Sequence, residues 1–250
     1  MSLIYPDFFA RFYDLIYGKL RSSVDTEYFL RKAREAKGPV LEIGTGTGRI
    51  FLDALKQGAD IYGIDISPEM IAVLKSRLDP VQHYRVSVQD MRTFFSDRSF
   101  SLILAPFRVF MHLTETQDQL AALNHIHSFL EPGGAFIFDL FIPDMKIIEK
   151  GMQDVVDFEG EYRPGEMVRR TTSSRSNMER HITYVTMKFD WTENGEWKTG
   201  TFFTQMRFFF LRELEELLEH SAFRKFDIFG NYLEEPVGSG SKDYLVVCTK

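Results

Sequence analysis

The sequence predicts an α/β fold: a doubly wound, Rossmann-like parallel sheet carrying an inserted antiparallel β lid. Three observations carry this reading. An apolar strand at 40–43 runs directly into alternating glycines and then into a helical stretch. Short apolar runs and amphipathic stretches alternate from residue 40 to 141, the order of a parallel sheet with crossover helices. From 154 to 210 the apolar period drops to two, the signature of half-buried antiparallel strands. The 250 residues suffice for one large domain. We read 1–35 as a helical cap, 36–150 and 211–250 as the α/β core, and 152–210 as the insert.

Residues 7–36 repeat aromatic and aliphatic side chains at helical spacing, and Lys37-Gly38-Pro39 closes the segment. The first strand covers 40–43, a helix 49–56 stops at Gly58, and the second strand covers 61–66. Ser67 is an expected N-cap, with Pro68 at the first helical position and Met70 in the capping-box slot. A third strand is expected at 84–88 and a fourth at 100–104. Thr114 with Gln117 three residues on predicts a capping box, and Glu131-Pro132-Gly133-Gly134 the end of that helix. The fifth strand covers 135–141. Within the insert, Val185, Met187, Phe189 and Trp191 share one face, and Asn194-Gly195 predicts a two-residue hairpin turn. A helix at 211–220 buries Leu214, Leu217 and Leu218, and strands at 226–229 and 244–247 close the fold around a loop at 235–241.

Composition narrows the function. The net charge of −6 disfavours nucleic acid, which needs a basic face. The single cysteine, Cys248, excludes a disulfide framework and a cysteine metal site. His125 and His127 stand two apart on a helix and point apart, so no metal is expected. The start lacks a basic flank and an unbroken apolar run, and no stretch approaches membrane-spanning length; a cytoplasmic protein is expected, with no membrane partner. Monomer and homodimer both stay open. The 24 phenylalanines imply a large core and allow an aromatic-lined pocket.

The run Val40-Leu41-Glu42-Ile43-Gly44-Thr45-Gly46-Thr47-Gly48-Arg49 reads as a nucleotide-type cofactor loop, because glycines let backbone approach a ligand and the following helix offers free N–H groups. A dinucleotide loop, G-x-G-x-x-G, would place its third glycine at position 49, which is Arg49. The pattern here is E-x-G-x-G-x-G. Asp65 follows about twenty residues on, Asp90-Met91 follows the third strand, and Pro106-Phe107-Arg108 through His112 follows the fourth. These four motifs, each at a strand end where an α/β sheet opens its crevice, resemble the class I S-adenosylmethionine-dependent methyltransferases over most of the chain.

The resemblance implies S-adenosylmethionine as cofactor and a small-molecule acceptor. Glu42, Gly44, Thr45, Gly46 and Gly48 would face the methionyl part; the competing reading is a steric turn. Asp65 would accept from both ribose hydroxyls, the competing reading being a helix cap. Ile66 and Met70 would flank the adenosine, Asp90 and Met91 would meet the adenine, and Pro106 would bound the site. Phe107, Arg108 and His112 would face the acceptor. The Asn/Asp-Pro-Pro-aromatic form associated with nucleobase amines is absent, Ala105 standing where the polar residue would be. Phe12-Tyr13-Asp14-Leu15-Ile16-Tyr17 looks like the Tyr-Asp-x-x-Tyr helix of small-molecule methyltransferases, which places Tyr13 and Tyr17 at the cofactor. Ser221-Ala222-Phe223 stands where the family's closing helix is followed by Ala-Gly-Phe.

The expected reaction is direct displacement at an activated methyl, with alignment supplying most of the acceleration. Nitrogen and oxygen acceptors are expected over carbon. Tyr17 and His112 are the candidate catalytic residues, with an aromatic stripe and a backbone-bonded histidine as the competing readings. The insert would wall the acceptor side, with Arg169, Arg170, Arg207 or aromatic residues lining it. The architecture is similar to glycine/sarcosine and amino-sugar N-methyltransferases. A non-catalytic cofactor-binding sensor or partner subunit is the alternative, and Arg49 argues against a nicotinamide oxidoreductase.

Overall fold

The computed structural model describes residues 5–20 and 24–250. Helices α1 (Asp7–Leu20) and α2 (Val24–Glu35) precede β1 (Val40–Ile43), α3 (Phe51–Lys56), β2 (Ile61–Asp65) and α4 (Pro68–Lys75). Strands β3 (Val86–Val88) and β4 (Phe100–Ala105) lead to α5 (Thr116–Phe129), β5 (Leu130–Phe141) and α6 (Met145–Lys150). The insert is β6 (Met152–Arg163), β7 (Glu166–Asn177), β8 (Ile182–Glu193) and β9 (Glu196–Arg207); α7 (Leu211–Glu219), β10 (Lys225–Phe229) and β11 (Asp243–Thr249) complete the chain.

The main sheet has the order β10-β11-β5-β4-β1-β2-β3. Strands β3 to β5 pair in parallel, while β11 runs antiparallel between β5 and β10. The winding reverses between β1 and β4, so the crevice beyond their carboxyl ends is the expected ligand position. The central strands are buried on both faces, which is why they read as continuous apolar runs. Leu41, Ile103, Phe136 and Phe138 pack under α5 and α7, while Val40, Leu102, Leu104 and Ile137 pack under α2, α3 and α4.

The insert is a separate four-stranded antiparallel meander. Its 182–207 hairpin closes on Glu193 paired with Glu196, with Asn194 at φ 55° and Gly195 at φ 79°, the positive angles of a type I′ turn. The inward face of β8 meets α1: Phe189 and Trp191 pack with Phe8, Phe9 and Phe12 in a third aromatic cluster.

Several expected elements differ. The helix at 7–36 is two helices, α1 and α2. Tyr84 and Arg85 belong to a 3₁₀ turn, Pro80–Arg85, because Asp79 caps it and Pro80 starts it. Thr114 caps nothing: α5 starts two residues later after Glu115, with no side-chain cap. The segment 131–134 lies within β5, where the register to β4 shifts and Gly133 takes φ 78°. The expected Ser67 cap is present, its Oγ accepting from the Met70 amide at 3.3 Å. Among the described residues no helix is long and apolar enough to cross a membrane.

Candidate functional site

A cavity of about 730 Å³ opens at the carboxyl ends of β1, β2 and β4. It gathers nearly every residue singled out from the sequence: Tyr13, Tyr17, Glu42, Gly44, Thr45, Gly46, Asp65, Ile66, Met70, Asp90, Met91, Pro106, Phe107, Arg108 and His112. Of the expected cofactor-loop residues, Gly48 is the exception. It takes φ 95°, and a Cβ there would strike Leu74 and Leu52, so its role is packing under the loop rather than lining the cavity.

The glycine loop has two kinds of constraint. Gly44 takes φ 71° against the Val109 side chain, which a Cβ would overlap. Gly46 takes φ 57°, and a Cβ there meets nothing closer than the Gly44 carbonyl oxygen at 4.0 Å, so its free face opens on the cavity. Both conformations cost an L-residue roughly 1–2 kcal/mol.

Asp65 ends β2 and is nearly buried. Its Oδ2 accepts the Gly46 amide at 2.9 Å and its Oδ1 the Ser67 amide at 2.8 Å, so one carboxylate ties the loop to the start of α4. Burial pushes its pKa up, against those amide bonds. Glu42, buried behind the loop, accepts from Thr45 Oγ1 at 3.2 Å. Burial, with Asp65 nearby, raises its pKa to about 8 despite Arg49. Ile66 and Met70 supply apolar surface beside Asp65. Asp90 is gripped by Arg92, whose Nε reaches its oxygens at 3.0 and 3.1 Å; burial would raise its pKa, but Arg92 holds it below the usual carboxylate range. Arg92 also donates to Asp118 at 2.9 Å.

Past β4 the chain makes two consecutive left-handed residues, Phe107 at φ 60° and Arg108 at φ 63°. Non-glycine residues there are strained and persist only where their surroundings hold them. Asp139, fully buried on β5, accepts the Arg108 amide at 3.2 Å and the Tyr232 hydroxyl at 2.9 Å. The Arg108 guanidinium donates to Asp243 at 2.6 Å. Phe107 is thereby set edge-on to Tyr17, with ring centroids 5.7 Å apart.

His112 is bonded to backbone and also lines the cavity. It ends a 3₁₀ turn, Val109–His112, and its Nδ1–H donates to the Gln205 carbonyl of the insert at 3.3 Å, yet it lines the cavity. A carbonyl only accepts, so this bond fixes the tautomer and leaves the lone pair on Nε2. Burial lowers its pKa to about 4, so the ring is neutral near pH 7.

The roof is α1. Tyr5, just before it, and Phe9, Tyr13 and Tyr17 recur every fourth residue and all line the cavity. The other face of α1 is fastened to the loop: Thr47 Oγ1 donates to Asp14 at 2.6 Å, Arg77 pairs with the same carboxylate, and its Nη1 reaches the Thr47 carbonyl at 3.2 Å. On α2, Asp25 accepts from Arg49 at 2.9 Å.

The three arginines expected from the insert do not line the cavity. Arg169 faces Glu159, Arg170 is paired with Asp157 over the Tyr17 ring, and Arg207 is paired with Glu213. The insert offers Met187, Phe202, Thr204, Gln205 and Met206 instead. Phe202 answers the aromatic alternative; Met187, Thr204, Gln205 and Met206 were missed because strand alternation says which residues share a face, not which face meets the core. The Tyr5 and Phe9 positions were legible in the four-residue aromatic repeat. Among the described residues no group of three His, Cys, Asp or Glu is placed to hold a metal ion.

Residues 40–134 match the family model described as a methyltransferase domain. The demethylmenaquinone methyltransferase of Chlorobaculum tepidum is 29% identical over 148 residues, 55% of this chain and 59% of that protein. The glycine/sarcosine N-methyltransferase of Parasynechococcus marenigrum is 29% identical over 137 residues, 53% of this chain and 49% of that protein. The chain thus spans 49% to 59% of the length of these relatives. A solved sugar N-methyltransferase from a Streptoalloteichus species superposes with a TM-score of 0.77 at 17% identity, over 95% of this chain and 92% of that one, a likeness of fold. Residues 40–134 thus match a methyltransferase domain, and the chain as a whole shares the fold of solved methyltransferases.

Proposed function

We propose that the protein transfers a methyl group from S-adenosylmethionine to the nitrogen or oxygen of a small-molecule acceptor. The observation that carries this is the convergence of the Asp65 carboxylate and the open face of Gly46 on one cavity. The residues fit the cofactor chemically. A buried carboxylate suits a vicinal diol, a side-chain-free turn suits close backbone contact, and carboxylates outnumbering guanidiniums suit a sulfonium. Asp65 would hold the ribose, Ile66, Met70, Asp90 and Met91 the adenine end, and Glu42 with residues 44–46 the methionyl end, under Tyr13 and Tyr17. When bound, the cofactor supplies an electrophilic methyl that needs no covalent enzyme intermediate.

The chain's own work is then alignment and exclusion of water, an effect that reaches about 7–11 kcal/mol when geometry is right. Pro106 and the strained Phe107–Arg108 step, held by Asp139, bound the space where an acceptor meets the methyl. His112 Nε2, neutral and carrying the lone pair, is placed to hold a proton from an acceptor N–H or O–H. The core is the cofactor side and the insert the acceptor side. The cavity extends beyond the loop to Thr204 and Gln205, which leaves room for an acceptor and disfavours a sensor without transfer activity.

Calorimetric titration of Asp65→Ala with S-adenosylmethionine tests the reading. Charge-assisted bonds of about 1.5–3 kcal/mol predict a loss of roughly ten-fold or more, with the fold retained by circular dichroism. Asp65→Asn, which keeps one acceptor oxygen, should fall between. Unchanged affinity in both variants overturns the assignment.

A further inference from the structure

Resting on the methyl-transfer reading, we propose that the part of the acceptor entering the cavity is uncharged and aromatic and presents an O–H or N–H, and that carboxylates and phosphates are rejected. Three observations carry this. First, every guanidinium among the described lining residues is already claimed: Arg49 by Asp25, Arg92 by Asp90 and Asp118, Arg108 by Asp243. Against these three cations stand five lining carboxyls, Glu42, Asp65, Asp90, Glu115 and Asp118, and no lysine. An anion entering here would shed its water and find each lining guanidinium already ion-paired. The relatives' acceptors include an amino acid, whose carboxylate such a wall cannot neutralise.

Second, where the insert meets the α1 roof the cavity is aromatic and thioether. Tyr5, Phe9 and Phe202 form a contiguous triad with centroids 4.7 to 5.0 Å apart, and Met187 and Met206 flank it. Ring faces and edges of this kind recognise another ring by offset or edge contact, and methionine sulfur adapts to it. Third, the polar groups on that wall are neutral and gathered in one place. His112, Thr204 and Gln205 cluster where Thr204 Oγ1 lies 3.4 Å from His112 Nδ1 and the Gln205 carbonyl holds the ring. His112 Nε2 has no partner among the described residues and offers a lone pair, which selects a ligand that donates. One donor-seeking nitrogen in an aromatic wall matches a hydroxylated or aminated ring better than an ion or a sugar.

The test uses full-length protein saturated with S-adenosylhomocysteine, titrated by calorimetry with 2-naphthol and, separately, with 2-naphthoate near neutral pH, where only the second is charged. We expect 2-naphthol to saturate and to bind about ten-fold tighter or more than the carboxylate. Thr204→Arg, which adds a guanidinium to the wall, should reverse that preference. Equal or tighter binding of 2-naphthoate to the native protein, or failure of both probes to saturate, overturns the proposal. If S-adenosylhomocysteine itself does not bind, the donor reading is overturned instead, and the same pair of titrations on the ligand-free protein judges the acceptor wall.

Discussion

Glu42 on β1 and Asp65 on β2 hold the same loop from neighbouring strands, and both are carboxyls pushed towards their protonated forms by burial. For Glu42 the folded value near 8 exceeds the ordinary 4.5. Its contribution to stability is therefore full below about 4.5 and is lost as pH rises towards 8, where folding must hold back a proton the unfolded chain releases. A cationic ligand beside it reverses that preference. Binding of S-adenosylmethionine at pH 7 should release protons, read as a dependence of the calorimetric enthalpy on buffer ionisation enthalpy, and Glu42→Gln should abolish the release. No proton release from the native protein contradicts the placement of Glu42 at the cationic end. The glycines separate two roles at the same scale. Gly44→Ala should destabilise the fold, because the added methyl overlaps Val109. Gly46→Ala should cost only about 1–2 kcal/mol of backbone strain in stability yet abolish cofactor binding. Equal binding by Gly46→Ala and the native protein, measured by titration, would place the ligand elsewhere.

The cavity is roofed by α1 and walled by β8 and β9, so the elements govern access. Asp14 ties the roof to the loop through Thr47 and Arg77, one short hydrogen bond and one half-exposed ion pair. Together these are worth about 1–2 kcal/mol. Asp14→Ala should speed release of S-adenosylhomocysteine by up to about ten-fold in stopped-flow displacement, with melting shifted by only a few degrees. An unchanged release rate would mean the roof does not gate the site. The sequence marked these elements unevenly, for physical reasons. The helical repeat of α1 was legible because aromatic residues fall every fourth position. The two-residue period of β8 was legible because Phe189 and Trp191 alternate with polar neighbours. The start of α5 was misplaced because Thr114 and Gln117 imitate a capping box while the chain is still turning. The segment 131–134 carries helix-ending residues, and it does follow a helix, but its hydrogen bonds are completed within the sheet. The claimed state of Arg92 and Arg108 depends on Asp118, Asp139 and Asp243 brought from distant strands and helices, which no local pattern contains.

Across the whole molecule, the site lies where the main sheet reverses its winding, the α1 roof and the insert meet, and Tyr232 and Asp243 of the closing segment reach back to the Phe107–Arg108 turn. His112 sits at that junction, on the turn after β4 and bonded to β9. Its folded pKa of about 4 lies below the ordinary 6.5, so the native state resists a proton that the unfolded chain takes up. Its contribution is full above about 6.5 and falls away as pH drops towards 4. The stability difference between the native protein and His112→Gln, from denaturant unfolding, should narrow or reverse across that window; a pH-independent difference would contradict a neutral buried ring. The decisive experiment is a crystal structure with S-adenosylhomocysteine. Its ribose hydroxyls should lie on Asp65, its amino-acid end against residues 44–46 and its sulfur facing Phe107 beneath Tyr17. Density for the ligand outside this cavity, or within it with Asp65 unengaged, would mean that the donor does not bind as proposed.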